Sequence, residues 1–238
     1  MRVRVLAVVV ILVALSAGFI VGRASDASCN PSRPRCVPSP TITVPGPTET
    51  PSPTTTSPPP DFTTVGYVGC SNSAGSVDGY HLDGGTLMWP FIRNYGSGTT
   101  TTWAANIGGA SDEWWAAFTR QQGITPAGTF WFQLCPRAAE DQDNDDEARA
   151  VIAEIRNQVP GAVVYVSALN TFEVPCSIAG PQGPANSQAD VDDLVASGDA
   201  LEGPVMPQLQ ADQVQTDGCH PNTSGRALLG DALLEFFG

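Results

Sequence analysis

The chain has 238 residues and a net charge of −13, and its 11 basic residues are all arginine. From residue 61 onward six Arg stand against 22 Asp and Glu, leaving that part at −16, a surface that repels phosphate backbones and argues against nucleic-acid binding. The absence of lysine excludes a Schiff base to pyridoxal phosphate and a P-loop lysine for a nucleotide.

Six cysteines, an even number, follow an apolar N-terminus, which fits an oxidising compartment. There is no Cys-x-x-Cys, and the histidines are two, His81 and His220, so no zinc site and no cofactor are expected.

Arg2 and Arg4 precede residues 5–22, 18 residues without a charge. That is longer than an ordinary signal core of ~7–15 residues and within the roughly 17–25 of a spanning helix. A membrane anchor is favoured, and a signal removed near Ser25-Asp26-Ala27 stays open. Under either reading residues 1–28 deliver the remainder to an extracytoplasmic location. Cys29 and Cys36 bracket a short Pro/Arg loop and pair with each other, or stay unpaired or bridge two chains. In residues 37–60, 19 of 24 are Pro, Thr or Ser. Such a composition buries no core and reads as a semi-rigid stalk, roughly 70 Å long if extended.

Residues 61–238 form the globular domain, expected to be monomeric. Residues 63–69 read as a first strand ending in Gly69-Cys70-Ser71-Asn72, while residues 74–98 have no clear assignment. Residues 99–103 read as a strand, followed by a loop through Asn106-Ile107-Gly108. A helix is expected over residues 111–122, capped by Ser111 and stopped by Gly123. Residues 129–134 read as a strand and 144–159 as a helix, from the spacing of Ala148, Val151, Ile152 and Ile155. A buried strand over 162–166, a helix over 188–197 and an amphipathic helix over 224–237 complete the chain. Alternating strands and helices predict an α/β domain, a three-layer α/β/α sandwich with a parallel central sheet.

In such a sheet ligands bind at the carboxyl ends of the strands. Ser71, Gly108, Gln133 and the pair Asp217/His220 all fall there. A serine hydroxyl is a poor nucleophile unless a base takes its proton, and the base needs a partner to fix its tautomer. Asp217-Gly218-Cys219-His220-Pro221-Asn222 supplies both on one turn. Candidate oxyanion donors are the backbone N–H groups of Ser71 and Gly108 and the side-chain amide of Gln133. His81 has no such partner and reads as structural.

Gly69-Cys70-Ser71 after a first strand, Asn106-x-Gly108 in the second loop and Asp217-x-x-His220-Pro221-Asn222 before the last helix resemble the SGNH (GDSL-type) hydrolase superfamily, over roughly residues 62–238. Two features depart from its usual pattern. Cys70 stands in place of Asp, and Trp131-Phe132-Gln133-Leu134-Cys135 stands where a Gly-x-Asn-Asp stretch is usual. Gly-x-Ser-Asn with Trp-x-Gln resembles the branch of sialate and xylan O-acetylesterases. The resemblance implies a serine esterase working through Ser71, His220 and Asp217 on small acyl groups, above all acetyl, of an acylated small molecule or glycan. A short-chain lipase or thioesterase, or an inactive stalked binding module, are the alternatives.

Acidic residues 140–147 place Asp146 and Ile152 where an EF-hand needs Gly and Glu, so a solvated loop leading into a helix is expected instead. Asn222-Thr223-Ser224 is a glycosylation sequon but is better read as a helix cap. Cys70, Cys135, Cys176 and Cys219 allow three pairings. Cys135–Cys176 with Cys70–Cys219 is preferred, the second tying the nucleophile turn to the base loop.

Overall fold

The computed structural model describes residues 62–90, 98–109, 113–138 and 144–238. The apolar segment 5–22, Cys29, Cys36 and the stalk lie outside the described residues. Among the described residues no helix is long and apolar enough to cross a membrane. In chain order the elements are β1 (Val65–Val68), α1 (Ser71–Leu82), α2 (Thr100–Ala105), α3 (Glu113–Ile124), β2 (Thr129–Gln133), α4 (Asp145–Gln158), β3 (Val163–Ser167), α5 (Gly183–Ala196), β4 (Leu201–Glu202) and α6 (Thr223–Phe237).

The four strands form one parallel sheet in the order β1-β2-β3-β4, and Met88 adds a parallel bridge to the outer side of β1. Their apolar runs are buried on both faces, as a parallel sheet between two helical layers requires. Alternation along the strands sorts the side chains. On one face Phe130 stacks on Phe118 of α3, with ring centroids 5.2 Å apart. On the other, Tyr165 meets Phe236 and Phe237 of α6 at 5.4 and 6.1 Å. The domain is therefore a three-layer α/β/α sandwich, as the alternating elements predict.

The stretch 99–103 is not a strand. Its β-branched threonines open α2 instead, because Thr99 caps the helix by accepting from the Thr102 N–H at 3.1 Å. Trp103 then donates its indole N–H to the Gly69 carbonyl at 2.8 Å, and that tertiary bond overrides local propensity. The third helix runs through Gly123 to Ile124, and its expected cap Ser111 lies outside the described residues. The fifth helix begins at Gly183 rather than 188, with Pro184 in its first turn, where proline's missing N–H costs nothing.

What joins the first and last helices of the described domain is the packing of α1 on α6. A Cβ added to Gly79 would stand 1.9 Å from the Arg226 carbonyl oxygen, and one on Gly230 would stand 2.3 Å from the Gly79 backbone. Only glycine lets the two backbones approach so closely. Arg226 also pairs with Asp78 across the contact at 2.9 Å. Since α1 begins at Ser71 and α6 begins three residues after His220, this contact sets the distance between those two residues.

Candidate active site

Ser71 is the first residue of α1, and Cys70 is its cap. The Cys70 N–H donates to Ser73 Oγ at 3.0 Å, and Ser73 donates onward to Gln133 Oε1 at 2.7 Å. The N–H groups of the first helical turn have no partner within the helix, so those of Ser71 and Asn72 lead the helix dipole at its N-terminal end.

The base loop is closed by a bridge between Val214 and Pro221 and by the Gln215 N–H bonding the His220 carbonyl at 2.7 Å. Gly218, at φ +71°, takes the turn that a side chain would strain. Asp217 Oδ1 accepts from the backbone N–H groups of Cys219 and His220 at 2.9 and 3.0 Å. Its Oδ2 lies 2.6 Å from His220 Nδ1. Burial raises the Asp217 pKa, but the bond from His220 and the two backbone donors outweigh it and hold the carboxyl at about 2. A carboxylate at Nδ1 fixes the proton there, which leaves the lone pair of a neutral ring on Nε2.

Ser71 and His220 line the same cleft of about 260 Å³, together with Asn72, Thr99, Arg137, Leu169 and Ile178. Both also border a smaller cavity of about 140 Å³ with Gly75, Gln215 and Arg226. The structure thus brings together Ser71, His220 and, behind the imidazole, Asp217.

Two expected oxyanion donors are not brought in. Gln133 is fully buried; its amide accepts from Ser73 and donates to the Ala168 carbonyl at 3.3 Å. It ties α1 to the ends of β2 and β3 and does not line the cleft. Gly108 follows α2 on an exposed turn at φ +70°. Residues 100–105 are helical, a rise of about 9 Å, and Gly108 stands three residues beyond the end of that helix; Thr99 is the residue of that segment that lines the cleft.

Asn72 is the polar side chain that sequence reasoning passed over. It is 3% exposed, lines the cleft, and its Oδ1 has no hydrogen-bond partner. Its place directly after the candidate nucleophile, at the second position of a helix, was the available signal. The unpartnered atom is an acceptor, and leaving it buried without a donor is costly.

The cysteines pair as Cys70–Cys135 and Cys176–Cys219, which corrects the preferred pairing. The register explains it: Val68 lies opposite Phe132, so Cys70, two residues on, is level with the end of β2. Each bridge therefore holds the residue just before Ser71 or just before His220. Two such disulfides fit an oxidising compartment. The two ring nitrogens of His81 lie 2.9 and 3.1 Å from the carbonyls of Gly85 and Trp89, a structural setting. Asn222 caps α6, accepting from the Ser224 and Gly225 N–H groups at 3.0 and 3.1 Å. Of the acidic run, residues 140–143 lie outside the described residues; Asp145, Asp146 and Glu147 occupy the first turn of α4, where negative charge suits the helix dipole.

Neither a family model nor a curated protein matches this chain. Among solved structures it is similar to a family 3 carbohydrate esterase of Clostridium thermocellum, at 12% identity over 73% of this chain and 94% of that one, with a TM-score of 0.42. A GDSL-like lipase of Parabacteroides merdae is similar at 12% identity over 76% and 98%, with a TM-score of 0.41. A protein of Lactobacillus plantarum follows at 14% over 74% and 96%, with a TM-score of 0.40. The case for the chemistry rests on the geometry of the cleft.

Proposed function

We propose that this chain is an extracytoplasmic serine esterase that hydrolyses acyl esters through Ser71, His220 and Asp217. The observation that carries the reading is the Asp217–His220 contact of 2.6 Å, which leaves Nε2 as the free base position in a cleft that Ser71 also lines. In the first half-reaction Nε2 takes the Ser71 hydroxyl proton as Oγ bonds to the ester carbonyl carbon. Asp217, ionised, stabilises the imidazolium that forms. The tetrahedral oxyanion is received at the start of α1 by the backbone N–H of Ser71, with the Nδ2 group of Asn72, which lines the same cleft, as the side-chain donor. Collapse breaks the bond to the alcohol oxygen, which leaves with the proton from Nε2. Water then repeats the sequence on the acyl-enzyme and releases the acid.

The narrower expectation of sugar deacetylation leaned on Gln133 as a donor, and a buried, committed Gln133 gives it no support. An acylated small molecule or glycan remains the proposed substrate class. The test is hydrolysis of p-nitrophenyl esters by the full chain beside Ser71→Ala and His220→Ala. Turnover lost in both variants supports the assignment. Turnover that survives Ser71→Ala sinks it, and no turnover on any ester would turn the reading toward a binding module.

A further inference from the structure

The peptide unit that joins Gly69 to Cys70 is gripped at both ends. Its carbonyl accepts the indole N–H of Trp103 at 2.8 Å, and its N–H donates to Ser73 Oγ at 3.0 Å. Ser73 in turn donates to Gln133 Oε1 at 2.7 Å. Trp103, Ser73 and Gln133 are all fully buried, and none of them lines the cleft or the small cavity. A Cβ on Gly69 would stand 2.1 Å from Ser73 Oγ, so the glycine keeps open the space that the hydroxyl fills.

The gripping side chains belong to α2, α1 and β2, and these elements are tied to one another. The Thr100 N–H bonds the Cys135 carbonyl at 3.2 Å, and the Cys135 N–H bonds Thr100 Oγ1 at 3.0 Å, which fixes the start of α2 to the end of β2. The grip therefore refers the peptide to the sheet as well as to α1. Because a peptide is planar, only the φ and ψ of Cys70 separate this unit from the next, which carries the Ser71 N–H. Cys70 has its side chain in the bridge to Cys135 and its carbonyl bonded by the Ala74 N–H at 2.9 Å. Turning the gripped peptide would thus turn the Ser71 N–H and swing the Ser71 hydroxyl away from His220.

The residue types fit this duty better than they fit core filling. A phenyl ring would occupy most of the space of Trp103, and what the indole adds is a donor, placed on the Gly69 carbonyl. At position 73 alanine would suit a helix better than serine, and a buried hydroxyl is costly without partners; the partners here are the Cys70 N–H and Gln133. Resting on the serine-esterase reading, we propose that Trp103 and the Ser73–Gln133 pair are positioning residues for the nucleophile, holding the Gly69–Cys70 peptide from its two ends so that Ser71 keeps its aim at His220.

The test measures kcat and KM on a p-nitrophenyl ester for the full chain, Trp103→Phe, Ser73→Ala and the double variant, with Trp89→Phe as the control. Trp89 is also fully buried and donates its indole N–H to a carbonyl, that of Thr125 at 2.8 Å, but it borders neither the cleft nor the small cavity. It reports what losing a buried indole bond does to the fold alone, and urea unfolding should show similar losses in the two Trp variants. Trp103→Phe and Ser73→Ala should each lower kcat at least about tenfold beyond the control, as misplacement does, with KM unchanged within about twofold because neither side chain meets substrate. In the double variant the two losses should fall short of multiplying, since a peptide released by one change gains little from the second. A kcat in Trp103→Phe no lower than in Trp89→Phe overturns the assignment, as does a loss carried by KM, or a double variant in which the losses multiply. Should Trp103→Phe not fold, Ser73→Ala, which removes a single oxygen, decides by the same kcat and KM criteria. If the unmutated chain turns over no ester and Ser71 takes no fluorophosphonate, the esterase reading falls, and this inference with it.

Discussion

Gly79→Ala tests the packing that sets Ser71 against His220. The new methyl carbon would lie 1.9 Å from the Arg226 carbonyl oxygen, and ordinary contact begins at 3.4 Å, so the two helices must part by about 1.5 Å. Helix propensity alone would make the change stabilising by about 1 kcal/mol. Overpacking against backbone, which cannot rotate away, costs about 1–3 kcal/mol, and the account predicts that the cost wins. Because α6 begins three residues after His220, a parting of this size displaces the base, and a misplacement near 1 Å costs about a hundredfold in rate. Urea unfolding and kcat/KM on a p-nitrophenyl ester measure the two effects. Gly123→Ala is the control: it sits in α3 with nothing within 4 Å of its Cβ, and it should stabilise by up to about 1 kcal/mol. If Gly79→Ala is as stable and as active as the control, the contact does not hold the site together.

Asn72→Ala should lower kcat by about a hundredfold or more if its amide meets the oxyanion, with KM little changed; a loss confined to KM would make it a substrate-binding group instead. Asp217→Asn removes a carboxylate whose pKa is depressed to about 2 from an ordinary 3.8. A depressed folded-state pKa adds stability that is present above the unfolded value and lost as pH falls to the folded one. The deficit of Asp217→Asn against the unmutated chain should thus be full at neutral pH and close between about pH 4 and pH 2, and a deficit constant across that range would contradict the coupling. Replacing Cys70 and Cys135 by serine, or Cys176 and Cys219, should destabilise to a similar degree. The separations of 65 and 43 residues differ little on the logarithmic scale of loop closure, at about 4 kcal/mol each as an upper figure. Unequal unfolding midpoints would show that one bridge acts mainly through native contacts.

The sheet was readable because 63–69, 129–134 and 162–166 each hold a short run rich in apolar, β-branched or aromatic residues, as strands buried on both faces do. The fourth helix was readable from its period. The first helix was not, since Ser71–Leu82 is rich in Ser, Gly, Asn and Asp, which form helices poorly in isolation. Its glycines answer a demand made by α6, more than a hundred residues away in sequence, and no local pattern carries that. Edge strand Leu201–Glu202 is two residues long, too short for a periodic signal. At the site, Asp217 and His220 were legible because a three-residue spacing on a Gly turn is a local fact. Gln133 was misread because its fate depends on Ser73, sixty positions earlier. The disulfides were misjudged because only the strand register reveals which half-cystines stand level.

The central claim is that His220 activates Ser71. A fluorophosphonate, which reacts only with activated serine, should give one adduct on the intact full-length chain, placed by peptide mass spectrometry on Ser71. The same reagent should label His220→Ala at least about a hundredfold more slowly. An adduct on any other residue, or equal labelling of Ser71 with and without His220, would contradict the account.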